Sequence, residues 1–321
     1  MLLGFDIGGT KCAVVLGEKT NADNIRVIDK IVLPTDKAVG EMIASLFVTA
    51  EKLMELNNVA KDGLEGIGIS CGGPLNSGAG IILSPPNLPG WDNIHIVDLT
   101  EKRFGVKAVL QNDANACAVA EWKVGAGKGC RNLVFLTFGT GMGAGLILNG
   151  SLYSGPADSA GEVGHIRLAD TGPVGFGKSG SFEGFCSGGG IAQLAQIKAK
   201  EVLLRGGKIS FCSSTEQLPF ITAKSVAEAA YNGDPEATDI YRTCGSYLGK
   251  GLSILIDVLN PEMIILGGIY CRAQSLIEPA MRAVIEREVL PGAYKVCRIM
   301  PALLGESIGD IAALALAERA G

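Results

Sequence analysis

Residues 132–150 read NLVFLTFGTGMGAGLILNG, an apolar run, a Gly/Thr turn and a second apolar run. Residues 2–17, LLGFDIGGTKCAVVLG, follow the same plan with Asp6–Lys11 as the turn. Each reads as a hairpin of two buried strands. A strand–turn–strand unit repeated so far apart predicts two similar halves facing each other across a cleft.

The intervening chain fits that plan. Ile43, Leu46, Phe47, Ala50, Leu53 and Met54 recur at helical spacing within residues 38–57. LEGIGIS reads as a short buried strand ahead of the Gly/Pro-rich loop CGGPLNSGAG, and VKAVLQ as a strand ahead of a helix, ANACAVAEWKVG. A helix near 239–257, the strand EMIILGG at 262–268 and a last helix from Gly309 close the second half. Ile311, Leu314 and Ala315 make that last helix apolar, so it is expected to pack on a core and return to the first half. The predicted division is 1–112 with 305–321 as one lobe and 113–304 as the larger other.

Composition narrows the function classes. With 321 residues, 47% hydrophobic and 19% charged, the chain suits one large or two ordinary globular domains. A net charge of −5 without a Lys/Arg run argues against nucleic acid as a partner. No apolar run reaches the roughly 18 residues of a membrane span, and MLLGFDIGG lacks the charged region and cleavage site of a signal peptide. The nine scattered cysteines contain no C-x-x-C pair and read as small buried residues of a reducing, cytoplasmic compartment. Gly, 45 of 321, is roughly twice its usual share, which predicts many turns where backbone approaches a ligand.

In DIGGTK, Gly8 and Gly9 let backbone N–H groups come close to a ligand, while Thr10 and Lys11 add a hydroxyl and a cation suited to phosphate. The Asp6 carboxylate suits a hydrated Mg²⁺. A plain hairpin with glycines at its tip is the competing reading. The second turn, with Thr137, Gly139, Thr140, Gly141, Gly143 and Gly145, has more glycines than a structural hairpin needs. Its G-x-G-x-G-x-G spacing is not the dinucleotide fingerprint, and a strand follows it. Two such turns can cradle one triphosphate.

LQNDANA puts Asn112 and Asp113 at a strand's C-terminal end ahead of a helix, where ligand-facing residues of α/β sheets sit. Asp113 there can act as general base on a hydroxyl; both residues are equally good helix caps. Glu162, His165 and Glu183 suit hydrogen bonding to sugar hydroxyls or a metal, and His165 is also readable as a buried structural histidine. His95 reads as solvent-facing. Gly267 and Gly268, ending NPEMIILGG, either let an adenine or ribose lie on the backbone or mark a bare turn. Finally, Gly172–Ser179 matches the P-loop pattern G-x-x-x-x-G-K-[ST]. A working P-loop opens a helix, and the GSFEGFCSGGG that follows reads as too glycine-rich for one.

The ordered set DIGGTK, GPLN, NLPGW, NDANA, GTGMGAG, GEVGH and NPEMIILGG resembles the ROK family of sugar kinases over nearly the whole chain. That resemblance implies an α/β, two-domain, actin/hexokinase-like (ribonuclease H-like) ATPase fold with an interdomain cleft. It implies ATP phosphates on the two Gly/Thr turns, adenosine near 260–268, Mg²⁺ held by Asp6 through water, and Asp113 as catalytic base. Asn112, Asp113, Glu162, His165 and Glu183 match its sugar-binding positions, and Gly73 and Asn87 lie in segments resembling those that flank the sugar. A homodimer is usual for such proteins.

The departure lies after GEVGH, where members of the family usually carry a zinc loop, C-x-C-G-x-x-G-C-x-E. Val174, Phe176 and Ser181 stand where its cysteines would, and Val and Phe cannot ligate zinc. No structural zinc is therefore expected, and Val174 and Phe176 are expected to pack the loop down instead. Three functions compete: an ATP-dependent kinase of a hexose or N-acetylhexosamine whose halves close on the sugar, a non-catalytic sugar sensor, and a P-loop NTPase. The family's repressors carry an N-terminal DNA-binding domain, and with a phosphate turn beginning at residue 6 none is expected here.

Overall fold

The opening runs form an antiparallel hairpin, β1 (Leu2–Ile7) and β2 (Lys11–Thr20), in a computed structural model that describes residues 1–20 and 24–320 of the protein. β3 (Asn24–Pro34) adds antiparallel to β2, its burial alternating along the strand as one covered face requires. Helix α1 (Val39–Leu56) buries Ile43, Leu46, Ala50, Leu53 and Met54 of the stripe that its spacing predicts, with Met42 added and Phe47 only partly buried. β4 (Gly66–Cys71) runs parallel to β1. The short pair β5 (Leu75–Asn76) and β6 (Ile81–Ile82) and helix α2 (Ile96–Phe104) then lead to β7 (Ala108–Asn112), parallel to β4.

Helix α3 (Asp113–Val124) follows directly, then β8 (Leu133–Phe138), β9 (Met142–Leu148) and β10 (Ser151–Tyr153). A small ribbon, β11 (Val174–Gly175) and β12 (Lys178–Ser179), precedes the one-turn helix α4 (Phe182–Phe185). Next come α5 (Gly188–Leu204), α6 (Ala223–Tyr231) and α7 (Pro235–Leu259). The chain ends with β13 (Met263–Leu266), α8 (Ile269–Glu288), α9 (Pro291–Val296), β14 (Arg298–Pro301) and α10 (Ile308–Ala320). The strand orders are β3-β2-β1-β4-β7 and β10-β9-β8-β13-β14. Both are a three-stranded meander extended beyond its first strand by two later strands, so the repeated hairpin belongs to a repeated sheet.

By packing, the protein divides into two units. The first comprises Met1–Phe135, Gly145–Ala160 and the chain from Leu303 onward; the second comprises Leu136–Ala144 and Gly161–Ala302. The first unit thus runs past residue 112, the boundary drawn from sequence, because α3 packs beside α10.

In the first unit Leu3, Phe5, Ile7, Val14, Leu46, Leu53, Ile67 and Ile69 belong to one buried cluster. Each such side chain contributes about 1.5–3 kcal/mol on leaving water. Helix α10 is buried at every position from Ile311 to Ala317 and lies on β1 and β4 as well as α3. Its alanines meet Gly4, Gly66 and Gly68, so helix and sheet backbones approach closely. In the second unit α7 starts at an Asp234 cap whose carboxylate accepts from the Glu236 and Ala237 N–H groups, with Pro235 in the first turn. It packs along α8. No described helix is long and apolar enough to cross a membrane. Among the described residues no cysteine is paired in a disulfide, and Cys271 is exposed while most of the others are buried.

Candidate active site

In the first unit, the end of β1 places Asp6 beside the Gly8–Lys11 turn, which closes with the Gly8 N–H donating to the Lys11 carbonyl at 3.1 Å. Thr35 holds this turn from outside: its hydroxyl donates to the Gly8 carbonyl at 2.7 Å and its N–H to the Thr10 carbonyl at 3.0 Å. A side chain at Gly9 would overlap the Asn87 carbonyl oxygen and stand 3.0 Å from the Asn87 Cβ. Thr10 and Lys11 are exposed.

The same unit gathers the other residues expected there. The Asn87 amide faces Gly72, and the Asn112 amide nitrogen would stand 3.2 Å from a Cβ at Gly73. Asn112 caps α3, its Oδ1 accepting from the Ala114 N–H at 2.9 Å. Asp113, the first residue of that helix, also accepts from Ala114, at 2.8 Å. The capping role expected of Asn112–Asp113 is therefore present, and Asn112 also stands beside Gly73.

The charges here are unbalanced. Burial first, then the carboxylates of Asp113 and Asp310, push Asp6 up to about 6, against the pull of Lys30 and Lys11. Asp113 is raised too, chiefly by the protein walled around it, although its side chain remains open to solvent. Burial raises the thiols of Cys12, Cys71 and Cys117 as well, so none is a poised nucleophile.

In the second unit the β8–β9 turn is held by Thr137, whose hydroxyl accepts from the Gly143 N–H at 2.9 Å. The Gly139 N–H donates to the Gly141 carbonyl at 3.1 Å, and Thr140 is exposed. Glu183 reaches this turn: its Oε2 accepts from the Met142 N–H at 3.0 Å and lies where a Gly141 Cβ would intrude. Gly164 lies against the Met142 carbonyl and Glu183, which brings the Glu162–His165 segment to the same place. Glu162 is exposed and His165 half-buried.

Gly267 and Gly268 turn the chain from β13 into α8. Gly268 has φ 61, and a Cβ would overlap the Phe138 carbonyl oxygen, so the turn itself requires glycine. Just past it, Ile269, Arg272 and Ala273 line a cavity of about 790 Å³, together with Gly139, Thr140, Gly188 and Gly189. Ile221, Lys224, Glu228 and Tyr231 on the α6 side complete it. That volume is ample for a nucleoside. The N-terminus of α5 contributes to its floor, with the Gly188 N–H donating to the Gly139 carbonyl at 2.8 Å and the Ser187 hydroxyl accepting from Gly190 at 3.0 Å.

This helix corrects the sequence reading, in which GSFEGFCSGGG was too glycine-rich to begin one. Two begin there, each on a serine cap, Ser181 for α4 and Ser187 for α5. The P-loop match does not form a P-loop: residues 174–179 are an antiparallel ribbon turning through Phe176 (φ 42) and Gly177 (φ 76). The Lys178 ammonium donates to the His165 carbonyl at 2.7 Å.

Nor do Val174 and Phe176 pack that loop down, as their apolar character predicts; they are 46% and 72% exposed. Polar contacts tie it instead. Gln193 pairs with both backbone groups of Val174, and Arg167 donates to the Ser179 carbonyl at 2.7 Å. Among the described residues no group of three His, Cys, Asp or Glu side chains could hold a metal ion.

The sequence profile of the ROK family matches residues 2–320. A glucokinase of Streptomyces coelicolor is 32% identical over 99% of this chain and 98% of its own length. The crystal structure of a ROK family glucokinase from Streptomyces griseus in complex with glucose and AMPPNP is 29% identical, covers 99% of both chains and superposes with a TM-score of 0.75. A xylose repressor of Caldicellulosiruptor bescii is 27% identical over 83% of this chain and 65% of its own length. The repeated sheet with its two glycine turns is thus the actin-like ATPase fold of the ROK hexokinases, and the protein belongs to the ROK family.

Proposed function

We propose that the protein is an ATP-dependent sugar kinase that transfers the γ-phosphoryl group to a hydroxyl of a hexose or N-acetylhexosamine, with glucose the first sugar to test. The observation that carries this reading is Asp113. Its carboxylate is open to solvent yet walled by protein, held at the head of α3 beside Asn112 and the Gly72–Gly73 loop. A carboxylate whose pKa is raised toward the working pH takes a proton readily without being permanently protonated. In the proposed step Asp113 accepts the proton of the sugar hydroxyl as its oxygen bonds to the γ-phosphorus and ADP leaves.

Asn87, Asn112, Gly73, Glu162 and His165 orient the sugar in this scheme. Glu183, tied to the Met142 amide, orders the second phosphate turn on its sugar side. Gly8–Lys11 and Thr137–Gly143 take the phosphates, and the cavity lined by Thr140, Gly188, Lys224 and Arg272 takes the nucleoside.

The residues around Asp6 fit Mg²⁺. The carboxylates of Asp113 and Asp310 raise that of Asp6, an excess of negative charge that a hard divalent cation relieves, and they offer oxygen donors without a three-ligand cage. That combination suits an ion that keeps most of its water and is held through it. The ion would neutralise the phosphate charge that develops during transfer. Asp6→Asn is expected to raise the Mg²⁺ concentration for half-maximal rate about tenfold, with little change in sugar affinity; a titration of rate against Mg²⁺ checks it.

A coupled ADP-release assay over a panel of sugars tests the whole reading, and ATP consumption that no sugar stimulates would overturn it. The second reading is a non-catalytic sugar sensor, favoured by the 27% identity to a xylose repressor. It predicts sugar binding without turnover in the same assay.

A further inference from the structure

The Phe176 ring is the most exposed large residue of the 172–179 ribbon, at 72%. It occupies the first central position of a two-residue turn in which it and Gly177 both have positive φ. Turns of this kind favour Asn, Asp or Gly there, and an aromatic residue at φ 42 is strained. The ribbon gains no buried core from it. What Phe176 does contact is His165: the two rings lie 5.1 Å apart at 75°, edge to face. From the next strand the Lys178 ammonium holds the His165 carbonyl at 2.7 Å. One ribbon therefore grips both the backbone and the ring of a single histidine.

We propose that Phe176 is a positioning residue for His165, fixing the imidazole in the rotamer that contacts the sugar. Strain retained at an exposed position is accounted for when a functional contact depends on it, and the edge-to-face pair is that contact. In this way the loop, which has Val174, Phe176 and Ser181 where zinc-loop cysteines would stand, holds the histidine by an aromatic contact and a lysine. The inference rests on the proposed role of His165 in sugar binding, but the ring contact can be read independently of it.

The chain contains two histidines, so the imidazole region of a ¹H–¹³C spectrum of the full-length protein holds two sets of signals. His95 is exposed, its charged neighbour being Asp98 at 3.6 Å, and serves as the internal control. Phe176→Ala is expected to move the His165 signals while leaving those of His95 in place. It should also raise the Kd for D-glucose, or for the best sugar of the panel, roughly fivefold to tenfold. The loss should fall on sugar KM rather than on kcat or ATP KM. Phe176→Tyr, which keeps the ring edge, should restore both readouts. In a His165→Ala background Phe176→Ala should cost nothing further.

Unmoved His165 signals would overturn the proposal. So would a loss of ATP affinity and melting temperature parallel to that of sugar, which marks a merely structural role, or an undiminished effect in the His165→Ala background, which marks direct contact of Phe176 with the sugar. Failure of the wild-type protein to bind any sugar removes the proposed role of His165, and the proposal with it, even where the ring signals move.

Discussion

Asp113→Asn is expected to reduce turnover by about 10²–10⁴-fold, the usual contribution of a positioned general base, while sugar binding survives. The fold should survive too. The cap on α3 does not depend on the charge, because Asn112 Oδ1 already accepts from Ala114 at 2.9 Å and an amide oxygen at position 113 can still accept from the same N–H. Stability follows from the direction of the pKa shift. Asp113 is raised in the folded protein, so folding favours its protonated form. Its contribution to stability is present at low pH and is lost as pH rises through the folded pKa. At neutral pH the ionised carboxylate is therefore a net cost, which the amide removes.

The melting temperature of Asp113→Asn should consequently equal or slightly exceed that of the wild type at pH 7.5, and the difference should shrink toward acid. The gain is small because the side chain remains open to water. The same shift sets the pH dependence of the wild type. The acid limb of kcat/KM should lie above the ordinary aspartate range of about 3.9 and be absent in the variant's residual activity. Near-normal turnover in Asp113→Asn would remove this residue as the base.

Much of this site was legible because its chemistry lies in short words. DIGGTK, NDANA and GTGMGAG each carry a turn geometry and a functional group within a few residues, and the first two fall in one unit, whereas the division drawn from sequence cut NDANA between Asn112 and Asp113. The second turn gathers Glu183 and the Glu162–His165 segment, a proximity not read from the sequence, and Glu183 is tied to the turn's own backbone. What sequence hid was assembled from separate elements. The cavity wall combines Gly188 of α5, Lys224 of α6 and Arg272 beyond β13, residues with no common spacing. Helix α5 was masked by its own opening, Gly188–Gly190, where the caps Ser181 and Ser187 were the usable signal. Strand β3 was not read from the sequence, because Ile28 and Val32 break the alternation of Ile25, Val27, Ile31 and Leu33 with polar residues.

Val174 and Phe176 show why hydrophobicity alone misleads: on a two-stranded ribbon one face has nothing beneath it, so both stay exposed. Glycine misled in the other direction. Its abundance was read as ligand turns, and Gly8–Gly9 and Gly139–Gly141 do lie at turns. Gly4, Gly66 and Gly68 lie in strands, far from any turn tip, and serve packing instead.

Gly68→Ala tests this second use and should be the most damaging single-methyl change in the first unit. Its added Cβ would overlap the Ala313 carbonyl oxygen and stand 2.6 Å from the Ala317 nitrogen and 2.8 Å from the Leu316 Cβ. These neighbours are mostly helix backbone, which cannot swing aside as a side-chain tip can. The helix must lift away from β4, opening gaps along Ile311–Ala317, all buried now. Overpacking of this kind costs about 3 kcal/mol or more, which corresponds to a fall of roughly 6–12 °C in melting temperature. Gly40→Ala is the control. Position 40 lies in the first turn of α1 with no atom within 4 Å of where the added methyl would stand, so the same substitution should be neutral or stabilise by about 0.4–1 kcal/mol. Thermal melts of the two variants share one chemical change and differ only in what faces it. If Gly68→Ala melts like the wild type, α10 is not seated on β4 by close backbone contact, and the glycines of β1 and β4 need another explanation.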